Sequence, residues 1–408
     1  MHKKNFLMLQ GICSPFFAGL AEGLEARGHR VFRVNFNGGD WLYGAGRPAW
    51  RYDGTVAGLA AALADRYQAF AVTDQILFGD CRPIHRVALA AAQTQGVRSH
   101  VFEEGYFRPY WVTLERGGVN GYSALPLDPD WYRAVGPTLP DYGDGLPFST
   151  SFAIRAAHDV AYHLAGLSNP LFFPGYRTHA PVWAPIEYLG YCRRLPLLRL
   201  HRQRDRARGR ALIDSGTPYF LLPLQLGADA QIRTHSRFAD MAGVMARVLD
   251  SFSRHAPKEA RLVIKNHPLD TGLDDYPGVI ERLTNQFSLA GRIEYMETGD
   301  LEELVAHARG TVTVNSTVGA LALALGCPTI ALGRAIYNLP GLTWQGDLDL
   351  FWRQGIRPDQ LLFRCFRNTV IHATQVNGGF YSRQGMALLV SQCCPLLEAE
   401  RSPLEELL

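Results

Sequence analysis

Three polar side chains, Lys265, Asn266 and His267, directly follow the apolar run at residues 262–264. Such a short run is typical of a buried strand in a parallel sheet, and Pro268 prevents the strand from continuing. Open α/β sheets bind their ligands at the carboxyl ends of their strands. A cation, an amide and an imidazole at this place suit an anion such as a nucleotide phosphate. The alternative is a solvated turn.

A second candidate anion site is formed by Asn315, Ser316 and Thr317, which follow another apolar strand and precede a helix of small residues. Hydroxyl groups there add donors to the free N–H groups and to the positive end of the helix dipole. An ordinary helix cap is the alternative. Two such strand ends in one α/β unit indicate convergence on one phosphate, and the chain has no Walker pattern for ATP hydrolysis.

Carboxylates at predicted strand ends are the candidates for proton transfer or nucleophilic attack. They are Glu103 and Glu104, after the strand at 100–102, and Asp229, after the strand at 218–225. Group transfer between sugars needs such a group to take the acceptor's proton or to act as nucleophile. For Glu103 an exposed loop acid is the alternative. No HxH, HExxH or clustered Cys/His spacing occurs, so we expect no catalytic metal.

Alternating strands and helices must position these residues, which predicts two α/β units with parallel sheets. In the first half we predict strands at 6–9, 31–36, 69–73 and 100–102, and long ordered loops over 108–147. In the second half we predict strands at 218–225, 261–265, 293–296, 311–315 and 328–332.

The composition describes a well-folded protein of two domains. Of 408 residues, 47% are hydrophobic and 19% charged, with a net charge of +3, which is ample material for two cores. No run of 18 apolar residues is present, and the N-terminus reads as a first strand rather than a signal peptide. The seven cysteines are scattered without CxxC spacing, which fits a reduced, cytoplasmic compartment.

A basic segment at residues 195–210 contains six arginines and one acid, Asp205. Charge runs are usually solvated helix faces, and an interdomain helix is the favoured interpretation. Contact with anionic lipid headgroups is the functional alternative, since clustered basic residues beside apolar ones suffice for it.

Several motifs resemble, in order, those of bacterial CMP-sugar transferases and, more specifically, capsule polysaccharide biosynthesis proteins of the KpsS type. The resemblance covers residues 6–385, and its motifs are Glu103-Glu-Gly-Tyr-Phe-Arg-Pro109, Gly118-Val-Asn-Gly-Tyr-Ser123, Pro223-Leu-Gln225 with Asp229, Lys265-Asn-His-Pro268, Asn315-Ser-Thr-Val318 and Asn377-Gly-Gly-Phe-Tyr381.

The resemblance implies a GT-B-like fold, with two Rossmann-like domains facing across a cleft. Residues 1–195 would be the acceptor-side domain and 211–370 the CMP-sugar-binding domain, with a helical segment at 371–408 that crosses back. The implied activity is retaining transfer of 3-deoxy-D-manno-oct-2-ulosonic acid (Kdo) from CMP-Kdo to phosphatidylglycerol, which starts the β-Kdo linker of a capsule.

The resemblance also implies roles for individual residues. Asp229 would be the nucleophile of a double displacement, Glu104 the acid/base, and His267 with Lys265 the grip on the CMP phosphate. Retention by two inversions requires both a nucleophile and a proton shuttle. Because adjacent residues on a strand face opposite ways, the sequence leaves Glu103 and Glu104 open, and Glu104 is our choice. The other predicted contacts are Asn266, Pro268, Asn315, Ser316 and Thr317 to the donor, and Glu103, Gly105, Gln225 and Asn377 to substrate.

The expected partners are CMP-Kdo, a lipid acceptor and capsule assembly proteins, with no cofactor, metal or nucleic acid. The protein is expected in the cytoplasm, bound peripherally to the inner membrane. An inverting, sialyltransferase-like CMP-sugar enzyme is one alternative. A non-catalytic component of capsule assembly or export is the other, because fold alone predicts function weakly.

Overall fold

The computed structural model describes residues 3–44, 46–178, 182–227 and 230–408, which form two compact units. Unit 1 comprises Met1–Leu125, Leu139–His179 and Asn368–Leu408, and unit 2 comprises Pro126–Thr138 and Ala180–Arg367. The domain limits expected from the sequence stay a prediction, and the compact units divide the chain at different residues.

Each unit contains one sheet. Unit 1 has seven strands in the order β12-β6-β5-β4-β1-β2-β3, and unit 2 has five in the order β11-β10-β7-β8-β9. The strands are β1 Asn5–Met8, β2 Arg30–Asn35, β3 Trp50–Arg51, β4 Asp74–Phe78, β5 Arg98–Glu104, β6 Trp111–Arg116, β7 Tyr219–Pro223, β8 Arg261–Lys265, β9 Ile293–Met296, β10 Gly310–Thr313, β11 Thr329–Ala331 and β12 Gln375–Asn377.

Helices follow most strands, as parallel crossovers require. They are α1 Phe16–Ala26, α2 Gly38–Leu42, α3 Leu59–Ala69, α4 Pro83–Gln95, α5 Pro129–Val135, α6 Phe152–Ala165, α7 Asn169–Phe172, α8 Ala184–Asp214, α9 Ala230–His235, α10 Met241–His255, α11 Tyr276–Gln286, α12 Leu301–His307, α13 Thr317–Ala324, α14 Leu348–Gln354, α15 Gln360–Thr374, α16 Arg383–Glu398 and α17 Pro403–Leu407.

The five-stranded sheet is parallel throughout. Its central strands β7 and β8 are apolar on both faces, and Phe220, Leu222 and Ile264 are almost completely buried. Strands covered on both faces are continuous apolar runs, which is why the sequence locates them well. Together, the two Rossmann-like halves confirm the predicted α/β, GT-B-like fold class; the cleft between them stays a prediction.

The seven-stranded sheet is mixed, which corrects the expectation of a purely parallel sheet. Strand β6 runs antiparallel to β5, and β12 runs antiparallel to β6. Only six residues join β5 to β6, too few for a parallel crossover. The predicted loop region at 108–147 is therefore wrong in part, since it contains β6 and α5.

The strand predicted at 69–73 is also wrong, because the strand here is β4 at Asp74–Phe78. Asp74 and Gln75 are fully buried within it. The Asp74 carboxylate lies 2.8 Å from His100 Nε2 and 3.0 Å from Arg98 Nε. Buried polar residues with tertiary partners interrupt the apolar pattern on which the strand assignment depended.

Among the described residues, we find no helix that combines the length and the apolar composition needed to span a bilayer.

Candidate active site

Three neighbouring strands of the five-stranded sheet end in polar residues. Strands β10, β7 and β8 are adjacent and parallel, so Asn315, Gln225 and Lys265 lie at one carboxyl edge. Gln225 Nε2 donates to Asn315 Oδ1 over 2.9 Å, and Asn315 N donates to Gln225 Oε1 over 3.3 Å. The structure therefore brings the Gln225 and Asn315 motifs into contact, and the predicted convergence of the Lys265 and Asn315 motifs on one phosphate stays a prediction.

The turn after β8 is organised by Asn266, which is buried. Its Nδ2 donates to Asp270 Oδ2 and Glu297 Oε2, each over 3.1 Å, and its Oδ1 accepts from His267 N over 2.7 Å. Its own backbone N–H donates to Met296 O on β9. These hydrogen bonds of the Asn266 side chain hold the turn, and its predicted contact with the donor stays a prediction.

The His267 imidazole has a defined tautomer. Its Nδ1 accepts a hydrogen bond from Leu269 N over 3.1 Å, so in the neutral ring the proton resides on Nε2. Lys265 at the end of β8 is buried, and burial together with the charge of Arg194 lowers the pKa of its ammonium group. A cation held out of water attracts an anion more strongly than an exposed one.

Arg194 on α8 holds the same turn, and the sequence did not single it out. Its guanidinium donates to the carbonyls of His267, Pro268 and Asp270 over 3.3, 3.2 and 2.7 Å. It also pairs with Glu297 Oε2 at 2.8 Å. Hydrogen bonds from Arg194 and other neighbours lower the pKa of Glu297, although burial opposes them. In the sequence, the only sign of this role is that Gly190 and Arg194 are four residues apart and so lie on one face of a helix, the face that is buried in the structure.

The second predicted anion site is the start of α13. Ser316 Oγ caps the helix by accepting from Val318 N over 3.2 Å, and the Tyr337 hydroxyl donates to Ser316 O over 2.6 Å. A Cβ added at Gly319 would lie 2.2 Å from Tyr337 Oη, so glycine permits this approach. Thr317, the first helical residue, is exposed. Besides the capped Val318 N, Gly319 N donates to Ser316 O over 2.9 Å, so these two N–H groups at the helix start have partners.

Glu103 and Glu104 end β5 in unit 1 and differ in environment. Burial raises the pKa of Glu103 to about 7, and its Oε1 accepts from Glu104 N over 2.9 Å. Glu104 Oε1 instead lies 3.5 Å from the Arg155 guanidinium. A carboxyl group whose pKa lies near neutrality suits proton exchange at physiological pH. These contacts favour Glu103, while our choice of Glu104 stays a prediction.

Two further predicted contacts in unit 1 have clear structural roles. A Cβ at Gly105 would lie 2.0 Å from Trp111 O, so the β5–β6 turn requires glycine. The Asn377 amide donates to the Tyr110 and Leu146 carbonyls and accepts from Leu146 N. Both residues shape this sheet edge, and their contact with substrate stays a prediction. Asp229, the predicted nucleophile, lies outside the described residues.

The two sheets and these carboxyl-edge residues define a Rossmann-like α/β protein. Residues 73–381 match the family described as "Capsule polysaccharide biosynthesis protein". The chain belongs to this family, which confirms the resemblance found in the sequence motifs.

Two bacterial relatives are similar to this chain over most of their length. The chain is 39% identical to "Capsule polysaccharide export protein KpsS" of Escherichia coli, covering 93% of this chain and 97% of the relative. It is 34% identical to "Capsule polysaccharide modification protein LipB" of Neisseria meningitidis serogroup B, covering 93% and 92%.

Among solved structures, the chain is similar to "Thermosulfurimonas dismutans KpsC, beta Kdo 2,7 transferase". The identity is 13% and the TM-score is 0.44, with coverage of 97% of this chain and 98% of the other.

Proposed function

We propose that this protein is a retaining β-Kdo transferase that moves Kdo from CMP-Kdo to a lipid acceptor, phosphatidylglycerol, at the start of a capsule linker. The observation that carries the proposal is the carboxyl edge of the five-stranded sheet, where Gln225, Lys265 and Asn315 lie at or within two residues of the ends of three adjacent strands. A strand-end cluster with a buried cation and a helix start suits a nucleotide phosphate.

The phosphate of CMP would be held from two sides. Lys265 would supply the charge and His267 Nε2 a donor, while Ser316 and Thr317 at the start of α13 would bind further oxygens. These groups would stabilise the departing CMP without a bound metal. Donors fixed in place before the reaction stabilise developing charge without reorganisation.

Sugar transfer would occur in two displacements. The Asp229 carboxylate would attack the anomeric carbon, form a glycosyl ester and expel CMP as its phosphate anion. The acceptor hydroxyl would then attack the same carbon, give its proton to Glu104, and release Asp229. Two inversions retain the configuration. Asp229 and Glu104 are the proposed catalytic residues. Comparing the transfer rates of Glu104→Gln and Glu103→Gln tests which of the two glutamates is the acid/base.

A lipid acceptor would place the protein at the cytoplasmic face of the inner membrane, in contact with other capsule assembly proteins. The membrane contact would be peripheral.

The test is incubation with CMP-Kdo and a fluorescent phosphatidylglycerol, followed by mass spectrometry and NMR of the product. We expect a lipid that carries β-linked Kdo and equimolar CMP. An Asp229→Asn variant should form no product. Product with inverted configuration would contradict the double displacement, and absence of CMP release would favour a non-catalytic component.

A further inference from the structure

Helix α8 exposes a row of four arginines, here called the outer arginines. Their spacing of three or four residues places them on one side of the helix. They are Arg199, Arg202, Arg206 and Arg210. Within the described part of the chain, no ion pair involves any of the four. Their charge is therefore uncompensated by the protein itself.

The neighbouring arginines of α8 are used differently. Arg204 lies 3.2 Å from Asp205, and Arg208 pairs with Asp205 and Glu294. Asp205 is fully buried, and Thr298 N donates to it over 3.0 Å. It is the one acid between residues 188 and 213. Because this acid is turned inward, the outward side of the helix is basic without an opposing carboxylate.

The same helix exposes large apolar side chains, here called the outer aliphatic residues. They lie between residues 186 and 200 of the helix, and the described hydrophobic core clusters of unit 2 do not include them. They are Ile186, Leu189, Leu195, Leu197 and Leu200, which are 46%, 70%, 44%, 43% and 71% exposed. Exposed apolar groups in a cluster mark interaction surfaces. A helix with apolar residues beside a strongly basic row is typical of one that lies in a membrane interface.

We propose that α8 docks unit 2 on a bilayer that contains anionic phospholipid. The outer arginines would contact headgroup phosphates, and the outer aliphatic residues would enter the acyl boundary. A soluble polyanion would bind to the arginines, but it would gain nothing from contact with exposed leucines. At 31 residues, the helix extends about 46 Å, long enough to contact many headgroups.

The docking helix is also the helix whose Arg194 holds the turn at His267. Docking would bring the phosphate-binding edge to a lipid acceptor. The purpose of docking therefore rests on the proposed function, which it deepens. The surface itself is argued from the charges and exposures of α8.

The first test is co-sedimentation with vesicles of phosphatidylglycerol and phosphatidylcholine, using a variant in which the four outer arginines are glutamine. Each arginine near an anionic surface strengthens binding about fivefold, so we expect a loss of about 100-fold or more. Wild-type binding should weaken as salt is raised. The matched control replaces four exposed arginines elsewhere in unit 2 with glutamine: Arg282, Arg309, Arg357 and Arg364.

Equal vesicle binding by wild type and the outer-arginine variant would overturn the proposal. So would an equal loss in the control variant, because net charge alone would then explain the binding. Circular dichroism and thermal melting should show that both variants are folded, since all eight side chains are exposed.

The second test separates a bilayer from a soluble polyanion. We expect the triple variant Leu189→Ser, Leu197→Ser and Leu200→Ser to lose vesicle binding about tenfold or more, since each buried aliphatic side chain contributes substantially. Its binding to dextran sulfate should be unchanged. The control carries serine at three other exposed leucines of unit 2, Leu325, Leu350 and Leu361. Unchanged vesicle binding by the outer-leucine variant would favour a polyanion site and overturn the proposal.

A third measurement keeps docking separate from the reaction. With a short-chain phosphatidylglycerol dissolved as monomers, the outer-arginine variant should release CMP from CMP-Kdo at the wild-type rate. A similar loss with monomers and vesicles would place the arginines in the reaction itself and overturn the proposal. If wild type releases no CMP while the vesicle results hold, the proposed reaction fails and the docking surface stands.

Discussion

At the carboxyl edge of the five-stranded sheet, polar side chains are tied into a hydrogen-bonded network around Asn266 and Arg194. At the carboxyl edge of the seven-stranded sheet, the partly buried Glu103 lies beside Glu104, and desolvation raises its pKa to about 7. We propose that the first edge holds an anion in place and that the second exchanges a proton. Equivalent positions in the two sheets differ in this way because their neighbouring groups differ.

The largest expected effect tests the anion-binding edge. His267→Ala should lower CMP release from CMP-Kdo about a thousandfold, since it removes the donor that we propose for the leaving phosphate. Thermal unfolding should be nearly unchanged because His267 is only partly buried. His307→Ala, at an exposed histidine of the same unit, is the control and should keep the wild-type rate. A fully active His267→Ala enzyme would remove the basis for contrasting the two edges.

The next effect concerns the stability of the same edge. Arg194→Met should lower the free energy of unfolding by about 3 kcal/mol, because it leaves Glu297 and three carbonyls without their buried partner. Urea denaturation measures this. Arg193→Met, at the exposed neighbour, should cost little. A loss below about 1 kcal/mol for Arg194→Met would mean that the turn after β8 does not depend on this network.

Glu103, at the carboxyl edge of the seven-stranded sheet, should make the free energy of unfolding depend on pH. Burial raises the pKa of Glu103 from 4.5 to about 7, so between these values the native state keeps a proton that the unfolded state has lost. Stability from this group is present below pH 4.5 and is lost as pH rises towards 7, by about 2 kcal/mol between pH 5 and 7.

Glu103→Gln should remove that part of the decline, measured by denaturation at both pH values, whereas Glu104→Gln should retain it. Glu115, whose pKa burial also raises to about 7, contributes its own decline in every variant. An unchanged decline in Glu103→Gln would show that the two sheet edges do not differ in proton affinity as described.

The smallest expected effect concerns the start of α13. Tyr337→Phe removes the 2.6 Å hydrogen bond to Ser316 O and should cost about 1 kcal/mol of unfolding free energy. If the cap positions donors for CMP, the KM for CMP-Kdo should rise as well. A change in stability without a change in KM would assign Tyr337 to the fold alone.

The sequence predicted the strands of unit 2 well and those of unit 1 less well. Strands buried on both faces, such as β8, are apolar runs with clear ends. Strand β4 contains Asp74 and Gln75, whose burial depends on His100 and Tyr67. Strand β12 lies in the seven-stranded sheet although some 260 residues of chain separate it from β6. Local patterns carry no information about such distant partners.

The candidate site divides in the same way. Residue types and strand-end positions indicated Lys265, His267 and Ser316, because ligand sites of α/β sheets follow strand ends. The role of Arg194 was missed because the carbonyl groups that accept its hydrogen bonds, at residues 267–270, are more than 70 residues away in the sequence.

By itself, the sequence determined the fold class, the family and the polar residues at the strand ends, since these depend on local periodicity and motif order. Tertiary structure decided which of those residues hold the turn and which side of α8 is basic. It also decided which glutamate has the raised pKa. Burial and the identity of neighbouring charges set these properties, and both arise only when distant parts of the chain pack together.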